Sequence, residues 1–270
     1  MALDVSMLTG AAALAAAGAS ARWNWWRLPQ KGLPILMYHK IGVPPAGSGL
    51  KKLWVSPRKF KAQLDYLARH GYQSLTFSEV KNRMDKGEPV PSNSVVITFD
   101  DGYQNNYTQA FPLMRDRGFR GVIYLVVQTI GWDNNWHDPA TETRIPMLTW
   151  TQVEEMKKAG FEFGSHTMTH KNLESLEIKH ATEEITKSRR VLGEFLGHEP
   201  VSFAYPYGAG QDNARLRDKV KEAGYAFGIG IHQGKADLAK EPYSLKRLFI
   251  RGDDTIFDFH LNMTRGKARF

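Results

Sequence analysis

The sequence contains no cysteine, which excludes disulfide bonds, thiolate catalysis and metal sites with cysteine ligands. It also contains no internal repeat and no nucleic-acid-binding motif, so nucleic acid is not an expected partner. Its 270 residues suffice for one large α/β domain with a substantial core. The net charge of +8 comes from scattered Lys and Arg residues and favours an anionic membrane or an acidic glycan as partner.

Long apolar runs are also scarce. Residues 5–21 are uncharged and rich in alanine, but this run is only marginally long for a membrane span of roughly 17–25 residues. Arg22-Trp23-Asn24-Trp25-Trp26-Arg27 follows and is typical of a membrane interface. We therefore expect residues 1–31 to be a membrane anchor and linker, and the positive-inside rule would then keep the next domain in the cytoplasm. A cleaved signal peptide, which would make the protein secreted or periplasmic, and an amphipathic helix are the alternatives.

Strand and helix patterns alternate along the rest of the chain. Apolar runs predict strands at residues 32–39, 72–77, 95–99, 121–127, 161–164, 201–205, 226–230 and 246–251. Helices are predicted at residues 56–71, 78–86, 107–117, 149–158, 178–196, 213–223 and after residue 254. This alternation predicts a single α/β domain folded as a distorted (β/α) barrel of seven or eight parallel strands.

Polar side chains follow four of the predicted strands. They are His39, Asp100 with Asp101, His166 with His170, and Tyr205-Pro206-Tyr207-Gly208. The carboxyl ends of barrel strands converge on one face, so we expect these groups to form one site.

The spacing of His166 and His170 is typical of a metal-binding pair. A helical turn would place both imidazoles on one face, although two solvated histidines at the start of a helix would show the same spacing. Asp101 offers an oxygen ligand, and two imidazoles with one carboxylate leave coordination positions open for water and substrate. The neighbouring aspartate could then act as a general base, and His39 could protonate a leaving amine. A hydrogen-bonded core histidine is the alternative for His39.

Three motifs, in this order, resemble those of the NodB-homology polysaccharide deacetylases, carbohydrate esterase family 4. They are Thr98-Phe99-Asp100-Asp101-Gly102, Ser165-His166-Thr167-Met168-Thr169-His170 and Phe203-Ala204-Tyr205-Pro206-Tyr207-Gly208. The resemblance covers residues 33–252, so residues 32–270 are expected to form the deacetylase domain. It implies metal-dependent hydrolysis of the acetamido group of an N-acetylhexosamine, in an N-acetylglucosamine-type glycan or a lipid-linked sugar.

The resemblance also implies roles for individual residues. Asp100 would be the general base, and Asp101, His166 and His170 would hold a divalent metal. Zinc is the expected ion, with cobalt, nickel and iron as alternatives. Tyr205, Pro206 and Tyr207 would line the substrate groove, with the Tyr207 amide in the oxyanion hole.

The sequence departs from the family pattern in two places. Ala204 stands where the third motif commonly has an arginine that orients the base, and the family's later motifs, Asp-x-x-Asp-Trp and Leu-x-His, are absent. In a branch of poly-N-acetylglucosamine deacetylases the acid histidine lies early in the chain, and Met37-Tyr38-His39 resembles that arrangement. Arg247 is a candidate to orient Asp100, although a surface ion pair is the commoner role for such a residue.

These departures leave two alternative functions open. One is a catalytically decayed glycan-binding module tethered to a membrane, and the other is a small-molecule amidohydrolase on the same fold. The loop at residues 128–147 lacks periodicity and is long enough to be functional. Within it, Trp132 and Trp136 could stack on sugar rings or pack structurally, whereas Asp133 and His137 are expected to be solvated.

Overall fold

The computed structural model describes residues 22–269 together with Thr9, Ala16, Gly18 and Ser20. Ten strands lie in these residues. They are β1 (Ile35–Tyr38), β2 (Lys40–Ile41), β3 (Trp54–Val55), β4 (Gln73–Ser74), β5 (Ser94–Phe99), β6 (Val122–Leu125), β7 (Glu162–Ser165), β8 (Ser202–Ala204), β9 (Phe227–Gln233) and β10 (Leu245–Phe249).

Seven of these strands close into a parallel barrel. The order around the ring is β1, β10, β9, β8, β7, β6 and β5, and β1 pairs with β5 to close it. The register of the closing pair sets Tyr38 opposite Phe99, so the two strands end side by side. Strand β4 pairs with the first residues of β5, and β2 and β3 form a separate parallel pair. The predicted (β/α) barrel is therefore confirmed, with seven strands in the ring.

Within residues 22–269, seven α-helices alternate with the strands. They are α1 (Pro57–Arg69), α2 (Phe77–Asp85), α3 (Phe111–Arg115), α4 (Trp150–Lys158), α5 (Ile178–Leu196), α6 (Ala214–Glu222) and α7 (Ile256–Arg265). Ser56 caps α1, with Pro57 as its first residue, and Thr149 and Gln152 form a capping box at α4, as their sequence patterns predict.

The segment before α3 differs from the predicted helix. Residues Asn106–Ala110 form a π-helical turn, and only Phe111–Arg115 are α-helical. Pro112 has no amide hydrogen to donate to the preceding turn, and this is the physical reason for the irregular winding. The side chain of Asn106 is buried here and donates a hydrogen bond of 2.8 Å to the carbonyl oxygen of His39, which ties this turn to the end of β1.

The predicted anchor at residues 5–21 lies almost wholly outside the described residues, so its nature and the boundary at residue 31 stay predictions. Among the residues that the structure describes, no helix has the length and apolar character needed to cross a membrane.

Close packing inside the barrel depends on a glycine in β7. Gly164 is the register partner of Tyr124 in β6, and a methyl group at Gly164 would overlap the Tyr124 ring. The same methyl group would lie 3.0 Å from the carbonyl oxygen of Ser202 in β8. Tyr124 is fully buried, and its hydroxyl donates a 3.1 Å hydrogen bond to the Ser202 hydroxyl. The glycine thus leaves room for an aromatic ring that spans three strands.

We expect Gly164→Ala to lower the free energy of unfolding by about 1–3 kcal/mol, because the added methyl group overpacks a site that cannot expand. Urea denaturation followed by circular dichroism measures this change. Gly193→Ala is the matched control, since Gly193 lies within α5 and a methyl group there meets mainly the flexible side chain of Glu199. Equal stability of the wild type and Gly164→Ala would contradict this packing.

Candidate active site

The four predicted polar clusters meet in one pocket at the carboxyl ends of β1, β5, β7 and β8. The pocket has a volume of about 300 Å³. Its lining residues are Met37, His39, Leu50, Leu53, Asp100, Asp101, His137, His166, His170, Tyr205, Tyr207, Ile231 and Phe249. Pro206, which was expected to line the groove, is buried at the start of a short 3-10 turn and is not among these lining residues.

Asp101, His166 and His170 form a compact and buried donor set. Asp101 Oδ1 lies 3.3 Å from His166 Nε2 and 3.1 Å from His170 Nε2. The three ligand atoms all lie within 4.8 Å of one another. Burial alone would raise the pKa of Asp101, but the two histidines hold that pKa well below its usual range. The carboxylate is therefore ionised at neutral pH, as a metal ligand requires.

The other ring nitrogens of the two histidines are already engaged. His166 Nδ1 lies 2.7 Å from the carbonyl oxygen of Ala204, and because a carbonyl only accepts, Nδ1 carries the hydrogen. Nε2, on the side of Asp101, is then the ring atom that a cation would bind. His170 Nδ1 lies 3.1 Å from the hydroxyl of Tyr207. Such partners fix ring orientation in metal-binding histidines, so this donor set fits a divalent cation.

The histidine pair does not lie on a helical turn, and that part of the prediction is wrong. Residues 166–170 form an irregular loop in which Thr167 has φ 70° and His170 has φ 59°. Glu184, on α5, accepts hydrogen bonds from the amides of Met168 and Thr169 at 2.9 Å each. These contacts from a neighbouring helix replace the hydrogen bonds that a helical turn would supply. The loop still brings the two imidazoles together, with ring centroids 4.9 Å apart.

Backbone strain is concentrated at this pocket. The non-glycine residues with positive φ in the described part of the chain are Asp101, Thr167, His170 and Tyr207. Each such backbone conformation raises the free energy of the folded state by about 1–3 kcal/mol, so it occurs only where the surrounding contacts enforce it. At Asp101 the φ of 76° turns the side chain, so that two consecutive aspartates both line the pocket.

Arg247 holds Asp100 from inside the barrel. Its Nη1 and Nη2 donate hydrogen bonds of 2.6 Å each to the two oxygens of the Asp100 carboxylate. Nη1 also contacts Thr98 Oγ1 at 3.1 Å, and Nε donates to the carbonyl oxygen of Gly230 at 2.8 Å. Arg247 is fully buried, so a surface ion pair is the wrong interpretation for this residue. Burial favours the neutral form of Asp100, but Arg247 holds the pKa of that carboxyl below its usual range.

His39 lies beside this pair at the end of β1. Its Nε2 is 4.0 Å from Asp100 Oδ2, and its ring meets the edge of Phe249 with centroids 6.0 Å apart. Burial lowers the pKa of His39, while the nearby Asp101 and Asp100 oppose that shift. Its Nδ1 is buried and has no hydrogen-bond partner in the described part of the chain. The alternative of a hydrogen-bonded core histidine therefore does not fit the structure.

The two tyrosines of the third motif occupy different positions. Tyr205 is fully buried, and its hydroxyl donates a 3.0 Å hydrogen bond to the carbonyl oxygen of Tyr243. Tyr207 is 53% exposed and lies at the pocket rim, beside His170. Tyr207 can therefore contact a ligand at the rim with its hydroxyl group, whereas the hydroxyl of Tyr205 is used inside the protein.

The loop after β6 brings residues that sequence reasoning undervalued. His137 lines the pocket instead of being solvated, and Trp136 packs on the ring of His170 with centroids 4.6 Å apart. Trp132 is 75% exposed. Asp133 Oδ2 lies 3.7 Å from Arg144 Nη1, so these two side chains form an ion pair. The length of this loop was the only sequence signal for His137, because the loop has no periodic pattern.

Comparisons with known proteins point to one family. Residues 87–228 match the family model for polysaccharide deacetylase. A Bacillus subtilis protein named for the same family is 28% identical over 231 residues, covering 86% of this chain and 75% of the relative. A Staphylococcus aureus poly-beta-1,6-N-acetyl-D-glucosamine N-deacetylase is 26% identical over 213 residues, covering 76% of this chain and 70% of the relative. The solved structure of a Streptococcus pyogenes deacetylase in complex with acetate has a TM-score of 0.71 at 27% identity, covering 83% of this chain and 94% of that chain.

We expect Arg247→Leu to lower the free energy of unfolding by about 3–5 kcal/mol, because the Asp100 carboxylate would stay buried without a partner. Denaturant unfolding of the purified variant measures this loss. Arg247→Lys keeps the charge but not the two-pronged geometry, so an intermediate loss is expected. Adding Asp100→Asn to Arg247→Leu should restore part of the stability, and a double variant no more stable than Arg247→Leu would contradict the pairing.

Proposed function

This chain belongs to the polysaccharide deacetylase family, enzymes that hydrolyse N-acetyl amide bonds, and we propose that it is a metal-dependent N-deacetylase of N-acetylglucosamine-type glycans. The match over residues 87–228 confirms the family resemblance that the three motifs carry. The observation that carries the proposal is the buried donor set of Asp101, His166 and His170 beside the Asp100 carboxylate.

The donor set supports a bound cation through its chemistry. Two neutral imidazoles and one carboxylate suit zinc and the neighbouring transition metals, and three protein ligands leave room for water and substrate. A cation held there supplies Lewis acidity, which lowers the pKa of water and polarises the acetamide carbonyl group. Zinc is our proposed ion, with cobalt, nickel and iron as alternatives.

The chain's own residues divide the proton transfers between them. Asp100 is ionised at neutral pH and accepts the proton of the attacking water. His39, whose Nε2 lies 4.0 Å from that carboxylate, donates a proton to the departing nitrogen. The amide of Tyr207 contributes a donor for the developing oxyanion. The carbon–nitrogen bond breaks, and the products are acetate and a free amine on the sugar.

The glycan assignment is supported by a relative and by the shape of the pocket. The Staphylococcus aureus relative is named for poly-beta-1,6-N-acetyl-D-glucosamine. A volume of about 300 Å³ lies at the small end for ligand sites, so the pocket suits one sugar unit with its acetamido group. Apolar side chains from Leu50, Leu53 and Phe249 share the lining with the charged groups and can cover the methyl group or the sugar ring.

Acetate release tests the proposal. We expect the purified chain to release acetate from β-1,6-linked N-acetylglucosamine oligomers, to lose this activity after chelation, and to regain it with zinc or cobalt. Enzymatic detection of acetate measures the rate. Metal binding without turnover of any glycan or lipid-linked sugar would instead indicate a glycan-binding module. Turnover of only non-sugar amides would indicate a small-molecule amidohydrolase.

Variants of the two aspartates separate their roles. We expect Asp100→Asn to lower kcat by about 10²–10⁴-fold, because the general base is lost, while metal content stays that of the wild type. Asp101→Asn should lose the metal itself, since an amide is a weaker ligand than a carboxylate. Inductively coupled plasma mass spectrometry of both variants measures the bound metal. Metal loss in Asp100→Asn with retention in Asp101→Asn would mean that the roles are reversed.

A further inference from the structure

His137 is a titratable residue that lines the pocket, and the proposed reaction gives it no role. It is half-buried and lines the same 300 Å³ pocket as His39, Asp100 and Asp101. The other polar lining residues lie at or shortly after the carboxyl ends of β1, β5, β7 and β8, whereas His137 comes from the loop between β6 and α4. It therefore forms a wall of the pocket, away from the strand ends that hold the acid and the base.

A buried ion pair fixes the loop that carries His137. Lys40 Nζ lies 2.9 Å from Glu142 Oε1, and their side chains are 0% and 2% exposed. The Ser48 hydroxyl and the Leu50 amide also donate to the Glu142 carboxylate, at 2.9 Å and 3.1 Å. Leu50 lines the pocket too, so Glu142 ties two pocket walls together. A buried charge pair is costly to form, and it leaves this surface loop little freedom.

The loop has a second internal anchor. The fully buried side chain of Asn134 accepts a 2.6 Å hydrogen bond from the amide of Ile145. An isolated bridge joins Asp133 to Pro146, and another joins Tyr103 to Met147. His137 thus lies between fixed points on both sides, as a residue that binds a ligand in one orientation must.

Tyr103 orients the His137 ring. The Tyr103 side chain is fully buried, and its hydroxyl lies 3.4 Å from His137 Nε2. Burial and the neighbouring Asp101 carboxylate both raise the pKa of the Tyr103 hydroxyl, so this hydroxyl stays protonated at neutral pH. With Tyr103 at Nε2, the other ring nitrogen of His137, Nδ1, has no hydrogen-bond partner among the described residues.

We propose that His137 is a specificity-determining residue whose Nδ1 accepts a hydrogen bond from a hydroxyl group of the sugar ring that carries the acetamido group. This inference rests on the proposed function, because it places an N-acetylglucosamine unit in the pocket. An imidazole acceptor on the wall selects a ring with a hydroxyl at one position, and it leaves the acid–base chemistry to His39 and Asp100.

The test compares His137→Ala with the wild type on the β-1,6-linked N-acetylglucosamine trimer. We expect KM to rise about tenfold, the effect of one lost hydrogen bond, with kcat within about twofold. His137→Gln, which keeps an acceptor, should recover part of the loss. Asn135→Ala is the matched control, because Asn135 is an exposed residue of the same loop outside the pocket lining. Metal content and melting temperature should be equal in all variants.

Monodeoxy analogues of N-acetylglucosamine identify the hydroxyl group. One of the 3-, 4- and 6-deoxy compounds should bind the wild type about tenfold more weakly than the parent sugar, with no further loss in His137→Ala. Additive losses for every analogue, or an unchanged KM, would overturn the proposal. A fall in kcat with KM unchanged would also overturn it, because His137 would then act in the chemistry.

A binding measurement separates this inference from the proposed function. The Kd for the trimer is measured by calorimetry in the Asp100→Asn variant, with and without His137→Ala. A tenfold weaker Kd without any acetate release by the wild type would support the sugar contact and refute the deacetylase proposal. Acetate release with equal Kd values would refute only the sugar contact.

Discussion

Arg247 and Asp100 meet inside the barrel, where their side chains are 0% and 3% exposed. A carboxylate in that position is tolerated only because two guanidinium nitrogens reach its oxygens at 2.6 Å each. Arg247 lies on β10 and Asp100 follows β5, and β1 lies between them in the closed ring. Closure of the barrel therefore completes the charge balance of the site, and an open sheet would leave both charges buried without partners.

The same pair accounts for Ala204. In the family pattern an arginine at the start of the third motif orients the base, and here the orienting arginine lies on a different strand. Ala204 instead uses its carbonyl oxygen, which accepts the hydrogen of His166 Nδ1 at 2.7 Å. The end of β8 thus supports the proposed metal-binding set, and β10 supports the proposed base, Asp100. In the family pattern the third motif contributes the orienting arginine, whereas here the third motif lies at the end of β8 and the arginine lies on β10.

The parts of the site that lie within short segments of the sequence could be predicted. The adjacent aspartates, the histidine spacing and the Tyr205-Pro206-Tyr207-Gly208 segment could be read directly, and the alternation of strands and helices predicted the barrel. The conformation of residues 166–170 could not be predicted, because it depends on Glu184 of α5 rather than on local propensity. The burial of Arg247 and the pocket position of His137 depend on contacts across 147 and 34 residues of chain, which no local pattern encodes.

Hydrogen-bond partners distinguish His166 and His170 from His39 in the pocket. His166 and His170 each have a partner at Nδ1, which fixes the ring and leaves Nε2 as the proposed ligand atom. His39 has no such partner among the described residues, and its Nε2 faces the Asp100 carboxylate at 4.0 Å. A ring held by packing against Phe249 rather than by a hydrogen bond can change its protonation without breaking a structural contact. That freedom suits the proposed role of His39 as proton donor and would be a disadvantage in a metal ligand.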